Sequence, residues 1–188
     1  MKPVLESQSF KKAVAAMGLL SVLAGLVGCD QQRIAELEEG VATEADVRTR
    51  FGEPEKVWDA ADMASLPLPG AAAAPGSKTF EYNRQPAGNV NYMVTIGPDG
   101  KMSALRQVLA QQNFAKVLPG LPMETVRKML GKPMKITPYA ASQTTAYDWR
   151  YLNPPNSIMI FTVTFDRDLK VVSTGSVEEQ FSAQKPNN

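Results

Sequence analysis

Few side chains in this chain of 188 residues could carry acid–base or covalent chemistry. Histidine is absent, which removes the commonest general base, the usual zinc ligand and the middle member of a Ser/His/Asp or Cys/His set. Cys29 is the single cysteine, so no internal disulfide can form. Asp166 and Asp168 have the first spacing of a calcium loop, but Lys170 stands at the next ligand position and no glutamate closes it, so a solvated turn is expected. The methionines are scattered and read as core filling, not as a copper site. An enzyme would depend on Asp, Glu, Lys or Tyr, and no constellation of them stands out. The expectation is a non-catalytic protein with no metal and no cofactor.

Charge excludes another class. The formal net charge is +1; residues 1–28 hold Lys2, Lys11, Lys12 and Glu6, a net +2, so the remainder carries −1. No basic field exists to hold a phosphate backbone, and nucleic acid is not an expected partner.

Binding chemistry is better represented. Tyr147, Trp149 and Tyr151 alternate and so project from one face of a strand, with Asp148 and Arg150 on the other. Phe80 and Tyr82 occupy the matching place earlier in the chain. Two arrangements fit. The aromatics, with Arg150, form a partner-binding stripe on an exposed sheet face, because Trp and Tyr dominate interface hot spots. Alternatively the aromatics are core beneath helices, and Arg150, Glu81 and Asn83 lie on the open face.

The N-terminal region says where such binding would occur. Lys11 and Lys12 precede the apolar run from Ala13 to Gly28, the order of a secretory signal peptide. Sixteen residues are short for a span, which needs roughly 20 at about 1.5 Å rise each. Leu26-Val27-Gly28-Cys29 resembles the lipobox of bacterial lipoproteins. The resemblance implies cleavage before Cys29, acylation of its thiol and new amine, and a durable membrane anchor, since several acyl chains bind where one is marginal. It implies a periplasm-facing protein of a bacterial envelope. By the sorting known for some lipoproteins, Asp30 favours inner-membrane retention, and Gln31 does not weaken that signal.

The elements that must position these residues are written twice. "VRTRFGEP" (Val47 to Pro54) and "VRKMLGKP" (Val126 to Pro133) match at Val, Arg, Gly and Pro, 79 residues apart. Val47 with Phe51, and Val126 with Leu130, lie four apart on one helical face. Gly52 and Gly131 are placed for a left-handed cap, and Pro54 and Pro133 for a stop. Thr43 with Asp46 resembles a capping pair, whereas Pro122 opens the second helix.

After each helix three alternating runs predict a meander: Lys78 to Gln85, Asn89 to Ile96 and Lys101 to Val108, then Ala146 to Leu152, Ser157 to Phe165 and Leu169 to Val177. Short apolar segments before Gly40 and Gly120 add a helix to each copy. The expected fold class is α+β, with two tandem ααβββ modules whose helices pack on antiparallel meander sheets. The expected division is a signal peptide over 1–28, a lipidated tether over 29–33, a first module over 34–110 with a mobile Pro/Ala loop at 62–78, a second module over 111–179, and a disordered tail over 180–188.

At this point the chain resembles the BamE/SmpA/OmlA group of small envelope lipoproteins. The carriers are "GLPMETVRKMLGKP" (Gly120 to Pro133), "YDWRYL" (Tyr147 to Leu152) and "FTVTFDRDLKV" (Phe161 to Val171). One such module is usual in that group; the doubled form is similar to the β-lactamase inhibitor protein fold. The first resemblance implies an outer-membrane adaptor in β-barrel assembly that binds protein and phosphatidylglycerol. The second implies an enzyme inhibitor or ligand-binding module.

Overall fold

A computed structural model describes residues 34–64, 66 and 74–179. The chain divides into two units, Met1–Glu38 and Glu39–Asn188. Of the first, only a helical turn beginning at Ile34 is described, with the Leu37 N–H donating to the Ile34 carbonyl at 3.1 Å. Everything below concerns the second. The expected signal peptide, tether and tail lie outside the described residues.

Helix α1 (Glu44–Phe51) starts at a capping box. Thr43 Oγ1 accepts from the Asp46 N–H at 3.2 Å, and Asp46 Oδ2 accepts from the Thr43 N–H at 2.9 Å, which satisfies two donors a helix start otherwise leaves open. The Thr43 N–H, and then the Thr43 hydroxyl, which donates to the same Oδ2 at 2.7 Å, hold the Asp46 carboxyl below its usual range. Gly52 ends the helix with φ 84° and ψ −162°, its N–H bonded to the Arg48 carbonyl. That conformation is extended with positive φ, a region essentially reserved for glycine, and not the left-handed helical cap expected from the sequence. The counterpart after the later helix, Gly131, repeats it with φ 77° and ψ −172°.

Four strands follow, not three: β1 (Lys56–Asp59), β2 (Lys78–Asn83), β3 (Asn91–Ile96) and β4 (Met102–Gln107), paired antiparallel in the order β1-β2-β3-β4. A short helix α2 (Ala60–Ala64) stands between β1 and β2. It occupies the start of the expected 62–78 loop, and Lys78 already belongs to β2; residues 65 and 67–73 lie outside the described set.

The second half runs α3 (Gln111–Phe114), α4 (Met123–Leu130), β5 (Lys135–Tyr139), β6 (Thr144–Asn153), β7 (Ser157–Phe165) and β8 (Val171–Glu178), with a second sheet in the order β5-β6-β7-β8. The molecule is therefore α+β with two four-stranded antiparallel sheets and few helices. β1 and β5 escaped the sequence reading for a physical reason. β1 has four residues with only Trp58 buried, and β5 contains Pro138 and buries none of its residues fully, so neither carries a period-two pattern.

The halves repeat their hydrogen bonding closely. Gly40 and Gly120 donate to the Met102 and Val171 carbonyls, and Ala42 and Leu121 accept from the Met102 and Val171 N–H groups. Both third-to-fourth strand pairings slip register at matching places, Thr95/Ile96 and Thr164/Phe165.

Each helix covers a sheet face. Phe51 on α1 stacks on Tyr82 with centroids 4.6 Å apart and meets Tyr92 at 5.4 Å. The opposite face of the first sheet contributes Trp58 and Met93 to the main apolar core, which they share with Val126, Met129 and Leu130 of α4 and with Trp149, Phe161 and Val163 of the second sheet. α4 is thus the layer between the sheets. No helix among the described residues is long and apolar enough to cross a membrane.

Candidate interaction surface

The sequence-predicted aromatics come together, but inward. Trp149 and Tyr151 are 1% exposed, Phe80 0% and Tyr82 2%; Tyr147 is half-buried and packs on the core. Of the two arrangements the sequence allows, the exposed partner-binding stripe is not what the structure holds: these residues are the interior beneath the helices. The reason is the pleat: the face carrying Trp149 and Tyr151 is the one that α3 and α4 cover. Trp149 Nε1 donates to the Gly131 carbonyl at 3.0 Å, Gln111 Nε2 reaches Tyr151 Oη at 3.0 Å, and Phe114 stacks on Phe161 at 4.2 Å. Their polar tips are thus spent inside the fold, as buried Trp and Tyr require.

Arg150 is on the opposite face, as alternation demands, yet it is engaged. Its Nε donates to Glu179 Oε2 at 2.8 Å and its Nη2 to Glu179 Oε1 at 2.5 Å, a bidentate pair. Nη1 donates to the Pro86 carbonyl. The Glu179 carboxylate drives the guanidinium pKa further up. The Arg150 backbone takes both ends of the Gln85 amide, Nε2 to the carbonyl at 2.7 Å and Oε1 from the N–H at 3.0 Å. Residues of the turn after β2 thereby clasp β6, and Arg150 joins the two halves.

Glu81 departs furthest from expectation. Placed on an open face by the sequence reading, it is 0% exposed, because α4 covers both the apolar and the polar residues of that face. Glu81 Oε1 accepts from the Lys132 N–H at 2.8 Å, Oε2 accepts from Trp58 Nε1 at 3.3 Å, and Arg127 Nη2 stands 3.5 Å away. Asn91, also fully buried, donates through Nδ2 to the Leu130 and Lys132 carbonyls at 2.8 and 3.1 Å. A Cβ on Gly131 would stand 2.9 Å from that Nδ2, so this glycine also answers to close approach. At the rim Lys128 Nζ meets Asp62 Oδ1 at 2.9 Å, and this bond, with one from the Asp59 N–H donor side of the same turn, holds the Asp62 carboxyl below its usual range.

Two buried polar atoms lack a hydrogen-bond partner among the described residues, Tyr82 Oη and Arg127 Nε. Burial pushes the Tyr82 hydroxyl up to about 12. The expected calcium-like spacing is a turn: Asp166 Oδ1 accepts from the Asp168 and Lys170 N–H groups, both at 2.9 Å. Among the described residues no three His, Cys, Asp or Glu side chains gather as a metal site. A cleft of about 580 Å³ lies beside α2, between Asp59, Ala60, Ala61 and Ala64 on one side and Pro75 to Lys78 on the other. Cys29, Asp30 and Gln31, assigned to lipidation and sorting, lie outside the described residues.

The seam, with Glu81, Asn91 and Gln85, was not found by sequence reasoning. Its one signal was a charged residue between two aromatics in a strand, Phe80-Glu81-Tyr82, which reads equally as a solvated face.

No protein-family model matches the chain, and no curated protein matches it. Among solved structures it is similar to that of YjgB, a DUF4309 family protein from Bacillus subtilis subsp. subtilis strain 168, at 16% identity over 77% of this chain and 83% of that one, with a TM-score of 0.26.

Proposed function

We propose that the chain is a lipid-anchored lipoprotein facing the periplasm of a bacterial envelope, a non-catalytic adaptor that binds another envelope protein in outer-membrane β-barrel assembly or envelope maintenance. Its body is read as two tandem ααβββ modules, each extended by one edge strand. The observation that carries this reading is Leu26-Val27-Gly28-Cys29 at the end of an apolar run that follows Lys11 and Lys12. The matched hydrogen bonding of the two halves supports the duplicated body. The inward aromatics move the search for a binding face to sheet edges and outer sheet surface.

The test is mass spectrometry of the purified lipoprotein, fractionation, and co-purification, each with the intact chain and with Cys29→Ser. Acylated Cys29, membrane association lost in Cys29→Ser, and a stable envelope partner that depends on the anchor are expected. An unacylated terminus removes the anchor. An acylated protein with no partner removes the adaptor, and a partner held equally by Cys29→Ser favours an inhibitor or ligand-binding module. Asp30→Ser decides the membrane: relocation is expected if Asp30 sets inner-membrane retention.

A further inference from the structure

Three of the four sheet edges among the described residues are closed to further pairing. β1 is only four residues long and begins at Lys56. β5 contains Pro138, which has no N–H to offer. On β4 the outward N–H of Leu105 donates to Glu39 Oε1 at 2.9 Å. Short strands, proline and charged groups are the usual means of blunting an edge.

β8 differs. The Glu179 N–H donates to the Ile158 carbonyl at 2.9 Å. Because hydrogen bonding alternates along an antiparallel strand, Ser173, Gly175 and Val177 face β7 with their backbone, and Thr174, Ser176 and Glu178 turn N–H and C=O outward. Val171 is occupied, exchanging bonds with Gly120 and Leu121. Thr174 stands 69 residues after Leu105, in the corresponding place of the second half. Where the first half has Glu39 before its opening Gly40, the second has Pro119 before Gly120, and no described residue takes the Thr174 N–H. The open stretch from Thr174 to Glu178 is neutral up to its last residue.

Gly175, the second residue of this stretch, adds an independent observation. Its φ is not positive, and a Cβ there would meet nothing within 4 Å. No described residue gives a reason for a residue that weakens a strand, whereas close approach of another backbone does.

We propose that this edge pairs antiparallel with the same edge of a second copy, about a twofold axis at Gly175, and so joins two four-stranded sheets into one of eight strands. With Gly175 on the axis, Thr174 of one copy stands opposite Ser176 of the other. Both are outward-facing residues, so their N–H and C=O groups satisfy each other. A slip of one residue would set outward groups against inward ones. The two glycines meet as a non-hydrogen-bonded pair, the closer kind at about 4.5 Å between Cα atoms, where they leave no side chain to clash. Each Glu178 falls opposite Val172 of the other copy, beyond the mutually open residues Thr174 and Ser176 and away from its twin. From Thr174 to Ser176 the edge matches itself in register and polarity, as an isologous contact requires, and these residues carry no charge to select a different occupant. The inference stands apart from the adaptor reading, since a dimer forms with or without an envelope partner.

The test uses the full chain in detergent. Sedimentation velocity is expected to show a concentration-dependent dimer. Ser176→Pro, which removes an N–H that points away from β7, is expected to give a monomer with an unchanged circular dichroism spectrum. Under mild oxidation Gly175→Cys is expected to yield a disulfide-linked dimer. The parent chain, carrying Cys29 alone, and Ile136→Cys, exposed on β5, are expected not to. A monomer at the highest soluble concentration, a dimer that survives Ser176→Pro, or Gly175→Cys linking no faster than Ile136→Cys would each overturn the proposal.

Discussion

The side-chain amide of Gln85 sits against the backbone of Arg150 as though it were one more residue of a strand, bonded to both the N–H and the carbonyl. β5 ends its pairing with β6 at Lys135 and Asp148, with Met134 adding one bond to the Asp148 carbonyl. Gln85 thus takes the place of the next rung and carries the first half onto the second sheet. Gln85→Ala leaves both groups of Arg150 open, and a loss of about 1–3 kcal/mol in unfolding free energy is expected. Urea denaturation measures it, and a change within error would show that water replaces the amide at no cost.

Glu81 ties the same seam from inside. Glu81→Ala strips partners from the Lys132 N–H, Trp58 Nε1 and Arg127 together, and is expected to cost about 3–5 kcal/mol, the range for breaking a buried pair from one side. Glu81→Gln keeps an acceptor for Lys132 and is expected to lose clearly less. Equal losses in chemical denaturation would mean that the charge, not the hydrogen bonding, holds the seam.

Tyr82→Phe is expected to stabilise. The hydroxyl is buried without a partner among the described residues, and removing an unsatisfied group relieves about 1–3 kcal/mol. The pH dependence has a definite sign. The folded pKa lies at about 12 against an ordinary 10.0, so between these values the unfolded chain releases the proton first and stability falls as pH rises. The Phe variant should show a higher melting temperature and a shallower alkaline decline.

The Asp62–Lys128 pair predicts an acid effect. Asp62 is held below its usual carboxyl range chiefly by the Lys128 bond. Its contribution is present above the unfolded value and is lost as pH falls through the lower folded one. Asp62→Asn should flatten the acid limb of a stability-versus-pH curve while leaving neutral stability almost unchanged, as expected for a pair with a partly exposed partner.

Both tryptophans, Trp58 and Trp149, are 2% and 1% exposed. Native emission is expected to be blue-shifted and to resist iodide, with quenching restored in urea. Native quenching at the denatured level would place Trp149 on an open surface after all.

Much of the local structure was legible in the residues. The Thr43 and Asp46 box, the Gly52 and Gly131 stops and six of the eight strands follow from capping chemistry and period-two alternation, which act within a few residues. β1 and β5 were not legible, because an edge strand that is short or holds proline has no alternation to read. The interior position of Glu81 was not legible either. Alternation states which residues share a face, but whether that face meets water or another helix depends on a segment about 50 residues away.

The sequence by itself determined two similar halves, which aromatics share one face of each strand, and a basic-then-apolar leader ending at a lone cysteine. Each of these is written in neighbouring residue types. Only the tertiary structure decided that α4 serves both sheets, that Glu81, Asn91 and Gln85 are joints, and that among the described residues β8 keeps an open edge where β4 is closed. Those outcomes depend on which half lies against which, and side-chain periodicity within one strand or helix holds no information about a neighbour so distant along the chain.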